Sequence, residues 1–141
     1  MTEANMIQKL IRLADEARAY SYAPYSGYSV GAALLCDDGS VITGCNMENA
    51  AFGPGISAER CAVYKAVSEG HRRFCAIAVA GSPIGERISQ YASPCGVCRQ
   101  VLREFTSPAE FDVIVAGPDG AYKVKTLDEL LPDSFGPENL K

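Results

Sequence analysis

The sequence predicts an α/β protein in which helices cover both faces of a mixed five-stranded sheet, a three-layer α/β/α arrangement. Three observations carry this reading. Segments with helical spacing alternate with short apolar runs, the runs are punctuated by Gly, Pro and Asp turns, and the resulting order is α-β-β-α-β-α-β-β-α. With 141 residues, 48% of them hydrophobic, the chain suits one compact domain over residues 1–141.

The first helix follows from Met6, Ile7, Leu10, Ile11, Ala14 and Ala17, and the spacing ends it near Tyr20, where Ala23-Pro24-Tyr25-Ser26-Gly27 breaks the chain. Tyr28 to Cys36 and Val41 to Cys45 read as strands joined through Asp37-Asp38-Gly39-Ser40, whose Asp-Gly step signals an antiparallel hairpin. A loop rich in Asn and Gly runs from Asn46 to Ile56. It leads to a second helix carrying Ala58, Ala62, Val63, Ala66 and Val67, with Ser57 at its N-terminal boundary and Gly70 placed as a C-terminal cap. Phe74 to Ala80 suits a buried strand, and residues 81 to 94 form an irregular connection. Cys98, Val101, Leu102 and Phe105 give the next helix its apolar face. Phe111 to Ala116 and Ala121 to Lys125 make a second strand pair about Gly117-Pro118-Asp119-Gly120, and Thr126 to Glu129 is a capping box for a short last helix.

The formal charge of -4, without a run of Lys or Arg, excludes the positive surface that nucleic acid requires, so a small molecule is the expected partner. Met1-Thr2-Glu3-Ala4-Asn5 lacks the basic start and apolar run of a signal peptide, and no later stretch is long and apolar enough for a bilayer. A cytoplasmic location is expected, in which six cysteines act as thiols or metal ligands rather than disulfides. Cys36, Cys45 and Cys75 read as small buried hydrophobes. His71 is the single histidine and reads as an exposed helix-end residue.

Chemistry concentrates in Pro94-Cys95-Gly96-Val97-Cys98, at the start of a helix. Unpaired backbone N–H groups and the helix dipole favour thiolates there. The spacing alone leaves two uses open, a metal or a redox dithiol. Upstream, Ser57-Ala58-Glu59-Arg60 opens the preceding helix.

Together these two segments resemble the paired motifs of the zinc-dependent cytidine deaminases. Tyr22-Ala23-Pro24-Tyr25-Ser26, Val30-Gly31-Ala32-Ala33-Leu34, Thr43 to Ala50 and Lys65 to Gly70 are also similar to the homotetrameric members of that family, so the likeness covers nearly the whole chain. The resemblance implies zinc held by Cys95 and Cys98, and a water activated by the metal for attack on C4 of a pyrimidine nucleoside. Glu59 inherits the role of proton shuttle. Asn46 and Glu48 resemble the ribose-binding pair, Tyr28 and Ala58 line the base, and Phe135 resembles an aromatic that completes a neighbouring subunit's site, which implies a homotetramer. Arg60 resembles a residue that offsets thiolate charge.

Ser57 stands where the family places its first cysteine. A neutral hydroxyl is a poor zinc ligand beside a thiolate, so weakened metal binding and reduced activity are expected. Cys61 lies one helical turn further on, about 5.4 Å away along the axis, and reads as a core thiol rather than a replacement ligand. Two other readings remain at this point. One is a nucleoside-binding protein without catalysis; the other is a redox module of Cys95 and Cys98, which leaves Glu59, Asn46 and Glu48 without a role.

Overall fold

A computed structural model describes residues 1–141. Five strands, β1 (Tyr28–Cys36), β2 (Val41–Cys45), β3 (Phe74–Pro83), β4 (Asp112–Ala116) and β5 (Tyr122–Thr126), form one sheet in the order β2-β1-β3-β4-β5. Only β3 and β4 run parallel; every other neighbouring pair is antiparallel. The parallel pair requires a crossover, and α3 (Gly96–Glu104) lies within it.

The predicted layers are present. α1 (Ala4–Ala17) covers one face, while α2 (Ala58–Ser68), α3 and the short α4 (Leu127–Leu130) cover the other. Side-chain alternation assigns the two faces: Ala32, Leu34, Ile77 and Val79 join the core beneath α2, whereas Ala33, Ala76, Ala78 and Ala80 face Leu10 and Ala14 of α1. The alanine-rich face lets α1 lie close to the sheet. A Cβ on Gly31 would stand 1.9 Å from the Ala14 carbonyl oxygen, inside any contact distance.

A second seam of this kind positions α2. A Cβ on Gly44 of β2 would lie 2.6 Å from both the Ala58 carbonyl oxygen and the Ala62 nitrogen, and both of these are backbone atoms that cannot rotate away. Gly44→Ala is therefore expected to push α2 off the sheet and destabilise the protein by at least about 2 kcal/mol, as overpacking does. Thermal melting checks this; an unchanged melting temperature would mean that the seam is looser than the distances imply.

Several boundaries differ from the sequence reading. α1 ends at Ala17, and a 3-10 turn over Arg18–Tyr20 supplies the remaining length. β3 continues to Pro83 rather than Ala80, because Gly81, Ser82 and Pro83 pair with Val30, Ser29 and Tyr28. β4 starts at Asp112 rather than Phe111, and β5 spans 122–126 rather than 121–125. Thr126 and Glu129 do form the capping box. Among the cysteines expected to be buried, Cys36 is, Cys45 is half-buried and Cys75 is exposed. The register shift between Leu35 and Cys36 leaves Cys75 as the unpaired extra residue at the start of β3. His71 is partly buried rather than fully exposed, with Asp38 beside it.

Candidate active site

Two helix starts meet on the α2 face of the sheet. Ser57 is the N-cap of α2, where its Oγ accepts from the Arg60 backbone N–H at 3.3 Å. An uncharged side-chain oxygen at this position satisfies one of the free N–H groups of the first turn, which explains why serine sits well there. Cys95 is the N-cap of α3, and Cys98 lies in the first turn of the same helix. Across the junction, Ser57 Oγ stands 3.0 Å from Cys98 Sγ, and the two sulfurs are 3.6 Å apart.

Arg60 Nε also donates to Ser57 Oγ, at 3.3 Å. A hydroxyl has two acceptor lone pairs and one donor. With both lone pairs facing Arg60 donors, the Ser57 hydroxyl hydrogen is directed to Cys98 Sγ. Ser57 thus acts as a hydrogen-bond link between Arg60 and the thiol.

The two thiols titrate in opposite directions. The backbone N–H of Cys98, followed by the Cys98 side chain and the Val97 N–H, holds the Cys95 thiol below its usual value despite some burial. Burial, with the negative charge of Glu59 second, pushes Cys98 up to about 12. Glu59 is only 5% exposed, and burial raises its carboxyl above the ordinary range; its own backbone N–H and the Cys98 thiol partly offset that rise. A buried carboxyl with a raised pKa beside a thiol pair is a candidate for moving protons.

The thiol pair fits zinc. Ligands at about 2.3 Å in a tetrahedron place two sulfurs about 3.8 Å apart, close to the separation found here. Ser57 fits less well, since its lone pairs are engaged by Arg60 and it offers a hydroxyl rather than a thiolate. Cys61 is half-buried in α2, one turn past Ser57, rather than the core thiol expected from sequence.

A cavity of about 560 Å³ borders this junction and is lined by Tyr25, Ser26, Asn46, Glu48, Phe52 and Arg60, among others. Asn46 and Glu48 therefore share one cavity wall with Arg60. Each is held in place by the strand ends. The Asn46 amide accepts from the Val30 N–H and donates to the Tyr28 carbonyl, both at 2.9 Å. Glu48 Oε1 accepts from the Tyr25 and Ser26 N–H groups, and Oε2 accepts from the Ser26 hydroxyl. The Ser26 hydroxyl is the main reason that the Glu48 carboxyl lies below its usual range. A larger groove, of about 730 Å³, is lined by residues such as Met6, Arg73 and Phe105 and includes none of the site residues predicted from sequence. The donor chemistry directs attention to the smaller one.

Other predicted residues are distributed around these groups. Ala58 is fully buried at the first position of α2. Tyr28 starts β1 and lays its ring over Gly81, where an added Cβ would lie 3.0 Å from the ring edge. Phe135 is 59% exposed, and its carbonyl accepts from the Gln100 side chain of α3. Three residues of the cavity wall were given no role from sequence: Tyr25 and Ser26, read as a helix break and as part of the family likeness, and Phe52. Phe52 has φ 61, is exposed, and meets Tyr25 edge to face at 6.4 Å. A bulky residue with positive φ in a cavity wall signals a functional constraint, but a one-letter sequence does not display it.

Comparison with known proteins agrees with this geometry. The family description "Cytidine and deoxycytidylate deaminase zinc-binding region" matches residues 4–113. The chain is 42% identical to a cytidine deaminase of Sporosarcina psychrophila over 95% of its length and 94% of the relative's. It is 45% identical to a cytidine deaminase of Halalkalibacterium halodurans over 94% of its length and 96% of the relative's. The crystal structure of cytidine deaminase from Burkholderia pseudomallei superposes with a TM-score of 0.82 at 42% identity, covering 96% of this chain and 100% of that one.

Proposed function

The chain belongs to the cytidine and deoxycytidylate deaminase family, and from that premise we propose that it hydrolyses cytidine and deoxycytidine to uridine and deoxyuridine, releasing ammonia. The observation that carries this reading is the meeting of Cys95, Cys98 and Ser57 at two helix starts, with the buried carboxyl of Glu59 beside them. Cys95 and Cys98 would hold zinc, with Ser57 standing at the position of the family's first cysteine. When bound, zinc supplies Lewis-acid activation of water near neutral pH.

The remaining steps belong to the chain's own groups. Glu59 accepts one proton from the attacking water and delivers it to the ring nitrogen, then takes the second from the hydroxyl formed on C4 and passes it to the departing amino group. Its raised pKa keeps the protonated form accessible for delivery, while the carboxylate remains available for the first step. Asn46 and Glu48 hold the sugar hydroxyls, and the strand-end bonds described above fix the two side chains before substrate arrives. Tyr28 and Ala58 enclose the base. Phe135, exposed on its own subunit, completes the site of a neighbouring copy in a homotetramer. The enzyme acts on free nucleosides in the cytoplasm, and no helix is long and apolar enough to cross a membrane.

A second reading is favoured by one observation. The Ser57 lone pairs face Arg60, leaving zinc two strong donors, so on this reading the chain binds nucleoside without turning it over. The test measures the ultraviolet change and ammonia release on adding cytidine, with and without supplied zinc, alongside uridine binding. Turnover that requires zinc supports the first reading; uridine binding with no ammonia at saturating zinc supports the second. Zinc uptake is also expected to release protons, because Cys98 holds its proton at neutral pH and the metal binds thiolate. Titration in weak buffer checks this, and uptake without acidification would exclude Cys98 as a ligand.

A further inference from the structure

We propose that Cys36, Asp38 and His71 form a second divalent-metal site, suited to zinc, beyond the C-terminal end of α2. One donor atom from each lies within 4.8 Å of the other two. His71 Nδ1 and Asp38 Oδ2 are 3.7 Å apart, a separation that two ligands of one tetrahedral ion span. Sulfur, imidazole nitrogen and carboxylate oxygen are each accepted by zinc, whereas calcium and magnesium favour oxygen alone. An ion pair would need only Asp38 and His71; Cys36 adds the soft donor that selects the metal.

The donors are held in place before any ion arrives. Asp38 Oδ1 accepts from the Ser40 N–H at 2.9 Å and the Ser40 hydroxyl at 2.6 Å, which leaves Oδ2 turned toward His71. Such bonds behind a ligand fix its orientation. Gly39, at φ +91, allows the turn, and the Cys36 N–H closes it on the Ser40 carbonyl at 2.9 Å. The Asp37 N–H reaches the Arg73 carbonyl at 3.1 Å, tying this turn to the segment that carries His71. On that segment Gly70, at φ +101, reverses the chain so that the His71 N–H bonds to the Ala66 carbonyl at 3.0 Å. Cys36 is buried while Asp38 is exposed, so an ion would enter from solvent and retain one open position for water. Thiolate and carboxylate together balance a divalent charge, and neutral imidazole completes the set without an arginine.

The experiment removes the other thiol pair first. Cobalt(II) is titrated into full-length Cys95→Ala/Cys98→Ala protein, with circular dichroism as the folding check. About one cobalt per chain is expected, with thiolate-to-cobalt absorption in the near ultraviolet. His71→Ala or Asp38→Asn in the same background is expected to weaken binding by at least roughly tenfold. Absence of the absorption in folded double variant overturns the site, as does unchanged affinity on substituting His71. If the double variant does not fold, His71→Ala in the otherwise unaltered chain decides: loss of one equivalent of tightly bound zinc supports the site, and an unchanged zinc content overturns it. Cytidine turnover in His71→Ala is expected to match the parent chain, which separates this outcome from failure of the proposed deaminase.

Discussion

Replacing Ser57 by cysteine is expected to raise both zinc content and cytidine turnover, by roughly 10- to 100-fold or more in metal affinity, the scale on which even outer hydrogen-bond partners act. Ser57 now accepts two hydrogen bonds from Arg60 and donates one to Cys98, so its oxygen has little left to offer a metal. A thiolate at the same point would give zinc a third strong donor, and Arg60 would then face a negative sulfur. Two stability effects of opposite sign accompany the change. Without metal, the variant loses a good N-cap and is expected to be less stable by about 1 kcal/mol. With zinc, preferential binding to the folded form raises its melting temperature above that of the parent chain. Elemental analysis, melting curves and the ultraviolet assay measure all three. A Ser57→Cys protein that fills with zinc and still leaves cytidine unchanged would refute the deaminase reading.

Glu59→Gln is expected to lower turnover by about 10²- to 10⁴-fold, the usual worth of a positioned acid–base group, while zinc content stays at the parent level. The pH dependence of stability supplies an independent readout. Burial raises the folded-state pKa of Glu59 above its unfolded value, so the folded form binds a proton more tightly. The associated stabilisation is complete below the unfolded carboxylate pKa and is lost as pH rises through the folded value. Glutamine does not titrate. The variant should therefore gain on the parent chain as pH climbs through that interval, and melting temperatures over a pH series would reveal it. Parallel curves would show that Glu59 ionises as freely in the folded protein as in the unfolded chain.

Much of this was legible in the sequence because it depends on local periodicity. The hairpin of β1 and β2 has the predicted limits, since the Asp-Gly turn and flanking apolar runs define it without distant help. β3 overran its prediction at Gly81 to Pro83, residues that look like loop formers. Their strand geometry comes from pairing with Ser29 and its neighbours, a contact across the chain. Cys75 was misplaced for a related reason: it is the extra residue on β3 between the Leu35–Ala76 and Cys36–Phe74 pairs, and it lies exposed there. At the site, resemblance to the deaminase motifs, more than spacing, pointed to Cys95, Cys98 and Glu59. They did not reveal that Ser26 holds Glu48, that the Asn46 amide bonds to β1, or that His71 meets Cys36 and Asp38. Each of those depends on where a turn delivers a side chain in three dimensions.

The two glycine seams also bear on how a nucleoside gets in and out. With α1 against Gly31 and α2 against Gly44 at backbone contact, neither helix has a compressible layer of side chains on which to slide. The N-terminus of α2, which carries Ser57 and Glu59, is therefore held at a fixed distance from β2. The chain between β2 and α2, which lines the cavity, is tied to the remainder by the bridge of Met47 to Tyr22, closes on itself by the bridge of Met47 to Ile56, and carries the exposed Phe52. The rate at which product departs should respond to changes in this loop and be indifferent to changes on the outer surface of α1.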